Sequence, residues 1–381
     1  MTGASAAPLT ATDVVARVFP EGQAIANSRH RENCSIHVIS QGIEPRWIIM
    51  GKPTKALPVL MSWAPWKASS RLRWKAVQMA AAVNALPMMP GVQNSSVKVD
   101  MSYWRGLLHF SNDWSAVIHV GNPSHTRKAI LFLIEGGRRV VCAAKVPLVS
   151  GAAGAIVNEA EILDLLRRFE CLPRVLFKDR GQGIVAQSWL VGKPVSRGFT
   201  QAHVNLLNSL VLDADSVRVS DYIGELATGL AGCDLPFDRS VLARGLDMLD
   251  CDLPLRPFVE HRDFASWNLK WIRRGTLGLL DWEWAIPSGL PWQDACRYFY
   301  IEDAHFHGSG RVWQSLSSDQ LLAQHRRDCD IPDDALPALT MRYLLRELLM
   351  EWDGGNPWLA SYAYKQIESL LNSLSLVRVR I

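Results

Sequence analysis

Residues 257–300 read PFVEHRDFASWNLKWIRRGTLGLLDWEWAIPSGLPWQDACRYFY. His261-Arg262-Asp263 is followed by Asn268, five residues beyond the aspartate, and then by Asp281, thirteen residues further on in the apolar run GLLDW. A loop carboxylate, an amide and a second carboxylate after a hairpin form the set that metal-assisted phosphoryl transfer uses. One aspartate orients or deprotonates the attacking hydroxyl, while the amide and the other carboxylate hold magnesium against the phosphates. Magnesium takes hard oxygen ligands, which these side chains supply and thiolates do not. A single loop aspartate is more often a turn or cap residue, so the weight rests on the set.

Chemistry of this kind also needs a cation on the nucleotide phosphates and an acid to hold that cation. Lys145 sits in the otherwise apolar strand pattern VVCAAKVPL, where an unpaired charge is costly. Glu159, fourteen residues on, shares the Ile156–Leu163 face of the next helical segment; Glu161 points away from it. The turn Gly121-Asn122-Pro123-Ser124-His125 has only one glycine. It reads either as a phosphate contact through Ser124 and nearby amides or as an ordinary hairpin turn.

These residues resemble the aminoglycoside phosphotransferase and choline kinase family of the protein-kinase-like fold. That family's catalytic loop reads H-G-D-x-x-x-x-N, with a metal aspartate in an I-D-W-E run. Here the loop is His261-Arg262-Asp263 with Asn268, and the second run is Leu280-Asp281-Trp282-Glu283. Asp294, in PWQDA, matches the family aspartate that buttresses the loop. The resemblance spans about 114–381, roughly 70% of the chain. It implies ATP and Mg2+ as cofactors, with adenine at the hinge-like SWLVG run through Trp189 and Val191. Lys145, held by Glu159, and Ser124 would take the phosphates, Asn268 and Asp281 the metal, and Asp263 would be the catalytic base. His261 would brace the loop. Glu283 is a metal or substrate contact or a surface acid.

The implied reaction is phosphorylation of a small-molecule hydroxyl. A sugar, an amino alcohol, an aminoglycoside or a polysaccharide precursor fits equally. The alternative is a catalytically silent kinase-like binding or scaffold protein, motivated by the glycine-poor turn and a long extension. No Ala-Pro-Glu activation segment follows Asp281, which disfavours a protein substrate.

Working outward, WSAVIHV, AILFLIE and RRVVCAAKVPL read as strands, with Gly136-Gly137 as a hairpin turn, and PRVLFKD and GIVAQSWLVG as two more. Helical patterns dominate from NLLNSLVL to the end. Strands first and helices later predict an α+β protein of two kinase-like lobes: a small, mainly-β N-lobe with hinge at 113–192 and a helical C-lobe at 193–381. Residues 1–112 read as an N-terminal α/β extension. Its first twenty residues are expected to be poorly ordered, with short strands and turns over 33–63. A helix is expected over 68–86, burying Leu72, Val77, Ala80 and Val83 behind a Ser69 or Ser70 cap, and PMMPGVQNSS is expected to close the unit.

The chain has 381 residues, 48% apolar and 20% charged, which excludes a mainly disordered protein. No apolar run reaches the ~20 residues of a membrane helix, and the N-terminus does not read as a signal peptide, so a cytoplasmic protein is the default expectation. Seven cysteines without C-x-x-C spacing predict reduced thiols. Five of the fifteen tryptophans, Trp47, Trp63, Trp66, Trp74 and Trp104, fall within 1–112. That stretch carries 12 basic and 5 acidic residues, against 29 and 32 beyond it. Arg71, Arg73 and Lys75 make it a candidate contact for an anionic partner or membrane surface, or a solvated helix face with Trp74 turned inward. No nucleic-acid motif is present. Trp282, Trp284, Trp292 and Tyr298 read as core packing or as an aromatic wall for substrate. His305 and His307 read as loop residues.

Overall fold

The computed structural model describes residues 8–20, 31–63, 65, 68–273 and 275–378. Trp66, the side chain of Ser69 and the side chains of the basic end LVRVRI (376–381) lie outside the described residues. The chain divides into two compact units: residues up to Pro194 with Gly278–Glu283, and Val195–Leu277 with the residues from Trp284 on. The architecture is α+β, with an antiparallel sheet in the N-terminal part and helices dominating the C-terminal part, as the segment order predicts.

The first unit contains α1 (Ala11–Val18), β1 (Arg31–Gln41), β2 (Glu44–Met50), α2 (Leu57–Met61), α3 (Ala68–Ala82), β3 (Val92–Asp100) and α4 (Ser102–Leu107). β4 (Trp114–Val120), β5 (Lys128–Glu135), β6 (Arg139–Pro147), α5 (Ala152–Leu165), β7 (Val175–Asp179), β8 (Ile184–Gln187) and the two-residue β9 (Lys193–Pro194) follow. Eight strands form one sheet in the order β3-β1-β2-β4-β5-β6-β8-β7. Every neighbouring pair is antiparallel. β2 joins β4 through Trp47↔His119 to Met50↔Ala116, so strands from before and after residue 112 share one hydrogen-bonded sheet.

Strand alternation gives this sheet two apolar faces. Ile36, Ile48, Ile118, Leu131 and Ala144 pack with Val14 and Val18 of α1 and with Trp104 of α4. On the opposite face Trp47, Ile49, Val117 and Phe132 pack with Leu60, Trp74 and Val77 of α2 and α3, while α5 lays Ile156 and Ala160 on Val185.

Several expectations change here. Residues 1–7 lie outside the described residues, but residues 8–20, also expected to be poorly ordered, hold a helix: the Thr10 hydroxyl accepts from the Asp13 N–H at 3.2 Å, and the Asp13 carboxylate accepts from the Thr10 N–H at 2.9 Å. This capping box and the burial of Val14, Val15 and Val18 order it. ALPVLMSW is helical where a strand was expected, because Pro53 and Pro58 suit the first turns of a 3-10 turn and of α2. PMMPGVQNSS does not close a unit; it runs into β3, a polar edge strand paired with β1 over Arg31↔Asp100 to Ile39↔Val92. α3 buries Trp74, Val77 and Ala81, leaving Leu72 and Val83 each 74% exposed. Arg71, Arg73 and Lys75 are exposed on it. Of GIVAQSWLVG only Ile184–Gln187 is strand.

The second unit contains α6 (Gln201–Ser209), α7 (Ile223–Gly232), α8 (Arg239–Asp247), β10 (Phe258–Glu260) and β11 (Leu269–Arg273). β12 (Thr276–Leu279) crosses the division, and β13 (Ile286–Gly289) pairs antiparallel with β10. α9 (Gln293–Glu302), α10 (Val312–Ser318), α11 (Gln320–Asp328), α12 (Leu336–Asp353) and α13 (Pro357–Arg378) complete it. α12 is buried along most of its length, including Leu339, Tyr343 and Leu348. His305 and His307 lie in a π-helical turn after α9, not in a plain loop. All seven cysteines are free. Among the described residues no helix is long and apolar enough to cross a membrane.

Candidate active site

In the first unit the site is built on Lys145. The β6 register places Lys145 opposite Ile130 of β5 and Val185 of β8, in the middle of the sheet, with its side chain only 8% exposed. An ammonium buried there is stable only if paired. Its Nζ donates to Glu159 Oε2 and, at 2.5 Å, to Asp281 Oδ1. Burial alone would depress the Lys145 pKa, but Asp281 and then Glu159 reverse this and hold it above the usual lysine value. Glu159 is fully buried on the inner face of α5 with Ile156 and Leu163. Its second oxygen accepts the Trp282 N–H at 3.4 Å, and Asn158 Nδ2 donates to the Glu283 carbonyl at 3.1 Å. Two consecutive α5 residues thus fasten the 281–283 segment to the first unit. Glu161, the rival partner, pairs instead with Arg180 at the surface.

A second lysine completes this cluster. Lys128 Nζ donates to Asp281 Oδ1 at 3.1 Å and to Glu283 Oε2. Burial would raise the Asp281 pKa, but Lys128 and Lys145 overcome it and keep the carboxyl well below its ordinary value. Burial, then the charge of Asp281, pushes Glu283 upward. Asp281 has a left-handed backbone (φ 66°), a strained conformation for a non-glycine residue that its fixed side chain helps to hold.

The remaining residues assigned to nucleotide lie elsewhere in this unit. Ser124 is exposed on a turn closed by the Arg127 N–H to the Ser124 carbonyl, 3.2 Å. Arg127 braces that turn through a two-point pair with Glu44 at 3.1 and 2.9 Å. Trp189 packs edge-on against Phe132 at 5.2 Å between ring centroids, and Val191 is 73% exposed.

In the second unit the site is the 261–268 loop. Asp294, near the start of α9, accepts the His261 and Arg262 N–H groups at 2.8 and 2.9 Å. His261 is fully buried and its Nδ1 accepts the Asp263 N–H at 3.2 Å. Arg262 adopts φ 67°. The H-G-D pattern places glycine here, which takes this conformation freely; arginine takes it with Asp294 clamping the two peptides that lead into it and His261 Nδ1 accepting from the one that follows. Asn268 Nδ2 donates to the Asp263 carbonyl at 2.9 Å and to Asp263 Oδ2 at 2.8 Å. Arg297 donates to Asp263 Oδ1 at 2.9 Å and to Glu347. The Asp263 carboxylate is therefore fixed from two sides.

Two of these residues escape sequence reasoning. Arg297 obeys no spacing rule. Lys128 leaves a faint signal: it lies two residues before Ile130, on the strand face that carries Lys145 in the pairing register. The aromatic residues resolve to packing, with Trp282, Trp292 and Tyr298 buried, while Trp284 keeps 38% exposure.

Among the described residues no three His, Cys, Asp or Glu side chains gather as a metal cage. Magnesium does not require one, since it keeps several waters and takes one or two carboxylates together with phosphates. The donor chemistry fits: Asp281 offers a charged carboxylate, and because the Asn268 nitrogen faces Asp263, its amide oxygen is left as the donor.

No family model and no curated protein matches the chain. Solved structures similar to it include a thermostable mutant of an aminoglycoside phosphotransferase, at 14% identity over 67% of this chain and 94% of that one, TM-score 0.47. A choline kinase from Streptococcus pneumoniae is similar at 13% identity over 66% and 92%, TM-score 0.45. A macrolide 2′-phosphotransferase type I is similar at 16% identity over 70% and 94%, TM-score 0.47.

Proposed function

We propose that this chain is an ATP- and magnesium-dependent phosphotransferase acting on a hydroxyl of a small molecule. The observation that carries this reading is the buried Lys145 paired at once with Glu159 and Asp281. A lysine buried on a β-sheet with two carboxylates brought onto it is costly as mere packing. It is the arrangement a nucleotide-phosphate grip needs: a lysine held in place by a helix glutamate, next to a carboxylate able to take metal. Asp281 and Asn268 would hold Mg2+, which when bound would neutralise charge developing on the transferred phosphoryl group. Asp263, fixed by Asn268 and Arg297, would orient the acceptor hydroxyl and take its proton. The acceptor class stays open among sugars, amino alcohols, aminoglycosides and polysaccharide precursors.

The test has two parts. Calorimetry on the whole chain should show ATP binding that depends on magnesium and is lost in Asp281→Asn. Turnover on a panel of hydroxyl-bearing metabolites should fall by about 10²–10⁴-fold in Asp263→Asn with ATP affinity nearly unchanged. Near-native turnover of that variant would overturn the base assignment. A second reading, a silent binding protein, is favoured by the two lysines already paired with Asp281. Absence of nucleotide binding by the folded chain would select it.

A further inference from the structure

Lys128 does what the proposed reaction does not require. Lys145 already pairs with Glu159 and Asp281, so a second ammonium on Asp281 is surplus to the phosphate grip. Lys128 opens β5 directly after the 121–127 turn, on the strand face of Ile130, and its side chain is 13% exposed. Its ion pairs are with Asp281 and Glu283, two carboxylates one residue apart in sequence. Asp281, by contrast, keeps 34% side-chain exposure and remains within reach of solvent ions.

We propose that Lys128 is the tethered counter-ion of Asp281 and Glu283: its ammonium sits on the two carboxylates that a divalent cation would take, and it must withdraw before that cation binds. With all groups ionised, two ammonium groups face three carboxylates. Exchanging Lys128 for a divalent ion balances the cluster, and the flexible four-carbon stem lets the ammonium move without the strand moving. The withdrawn ammonium is then available to an anion such as a phosphate. Lys128 is thus a positioning residue that couples cation entry to anion binding. The proposal rests on the phosphotransferase reading only in naming a divalent cation as the displacing ion.

The obvious competing role is structural, with Lys128 merely tying the 278–283 segment to β5. The two roles differ in whether the ammonium leaves its carboxylates when a cation binds, which labelling of Lys128 in wild type reads directly. Free Mn2+ is followed by electron paramagnetic resonance during titration of the whole chain without nucleotide. Lys128→Met should bind Mn2+ at least tenfold more tightly than wild type, Lys128→Arg should behave as wild type, and adding Asp281→Asn should abolish the gain. Weaker or unchanged Mn2+ affinity in a folded Lys128→Met chain would overturn the proposal, because the cation would then not compete with the ammonium for these carboxylates. A measurement on wild type covers the case in which that variant fails to fold. Amine labelling read by mass spectrometry should modify Lys128 faster in saturating Mn2+ than without it, and equal labelling would equally overturn the proposal. Calorimetry with Mg·ATP runs alongside: its failure with the Mn2+ gain intact would sink the phosphotransferase reading and leave the counter-ion standing.

Discussion

Asp294 holds the 261–263 loop through two backbone N–H groups, yet it is buried and lies close to Glu260. Burial first, and the charge of Glu260 second, outweigh the two donors and push its pKa up to about 7. The native chain therefore keeps this proton to higher pH than the unfolded chain, whose carboxyl has its ordinary value of 3.8. Its stabilising contribution is fully present below about pH 4 and is lost as pH rises through about 7. The ceiling is roughly 4 kcal/mol, from about three pKa units at 1.36 kcal/mol each. Urea midpoints of wild type and Asp294→Asn should accordingly show an advantage for wild type that shrinks between pH 5 and pH 8. A difference that stays flat over that range would show that Asp294 is ionised throughout. At this scale the sequence is informative where charge conflicts with pattern. Lys145 stands out in an apolar strand, and helical period selects Glu159. Arg297 and Lys128 conflict with nothing along the chain, and only folding brings them to Asp263 and Asp281.

Among the elements, legibility follows periodicity. β4, β5 and β6 are apolar runs bounded by turns, with Gly136-Gly137 between the last two, and can be read directly. β3 is polar along most of its length (VQNSSVKVD), so its pairing to β1 leaves no hydrophobic period. α1 depends on a capping box and three valines, too few for a short helix to stand out. α3 is misread for a different reason: apolar residues lie on both of its sides. The Trp74 ring lies 5.0 Å from Trp47, and its Nε1 donates to the Trp63 carbonyl at 2.9 Å, so a large ring with a polar edge sets the inner face. Trp74→Ala should cost about 3–5 kcal/mol, whereas Leu72→Ala, 74% exposed, should change stability by no more than about 0.5 kcal/mol. Denaturant midpoints of the two variants decide between faces. Equal losses would restore the Leu72-inward helix.

At the scale of the whole molecule the open question is whether residues 1–112 are an appendage to the rest. Their charge and tryptophan content set them apart in composition, which suggests a boundary at 112. Hydrogen bonding runs across that boundary. β2 pairs with β4 across the proposed boundary, and the Trp104 Nε1 donates to the Val18 carbonyl within the face that covers Ile118 and Leu131. A chain beginning at residue 113 would leave β4 as an unpaired edge and expose apolar residues on both faces of the remaining sheet, Ile118 and Leu131 on one and Val117 and Phe132 on the other. Exposed edges and apolar faces of that kind drive aggregation. The shortened chain should therefore be insoluble or molten, and in the whole chain the amides of β2 and β4 should exchange with a common opening free energy. Hydrogen exchange read by mass spectrometry measures this directly. A shortened chain that stays soluble, melts cooperatively and binds Mg·ATP would make residues 1–112 a separable module and move the unit boundary back to residue 112.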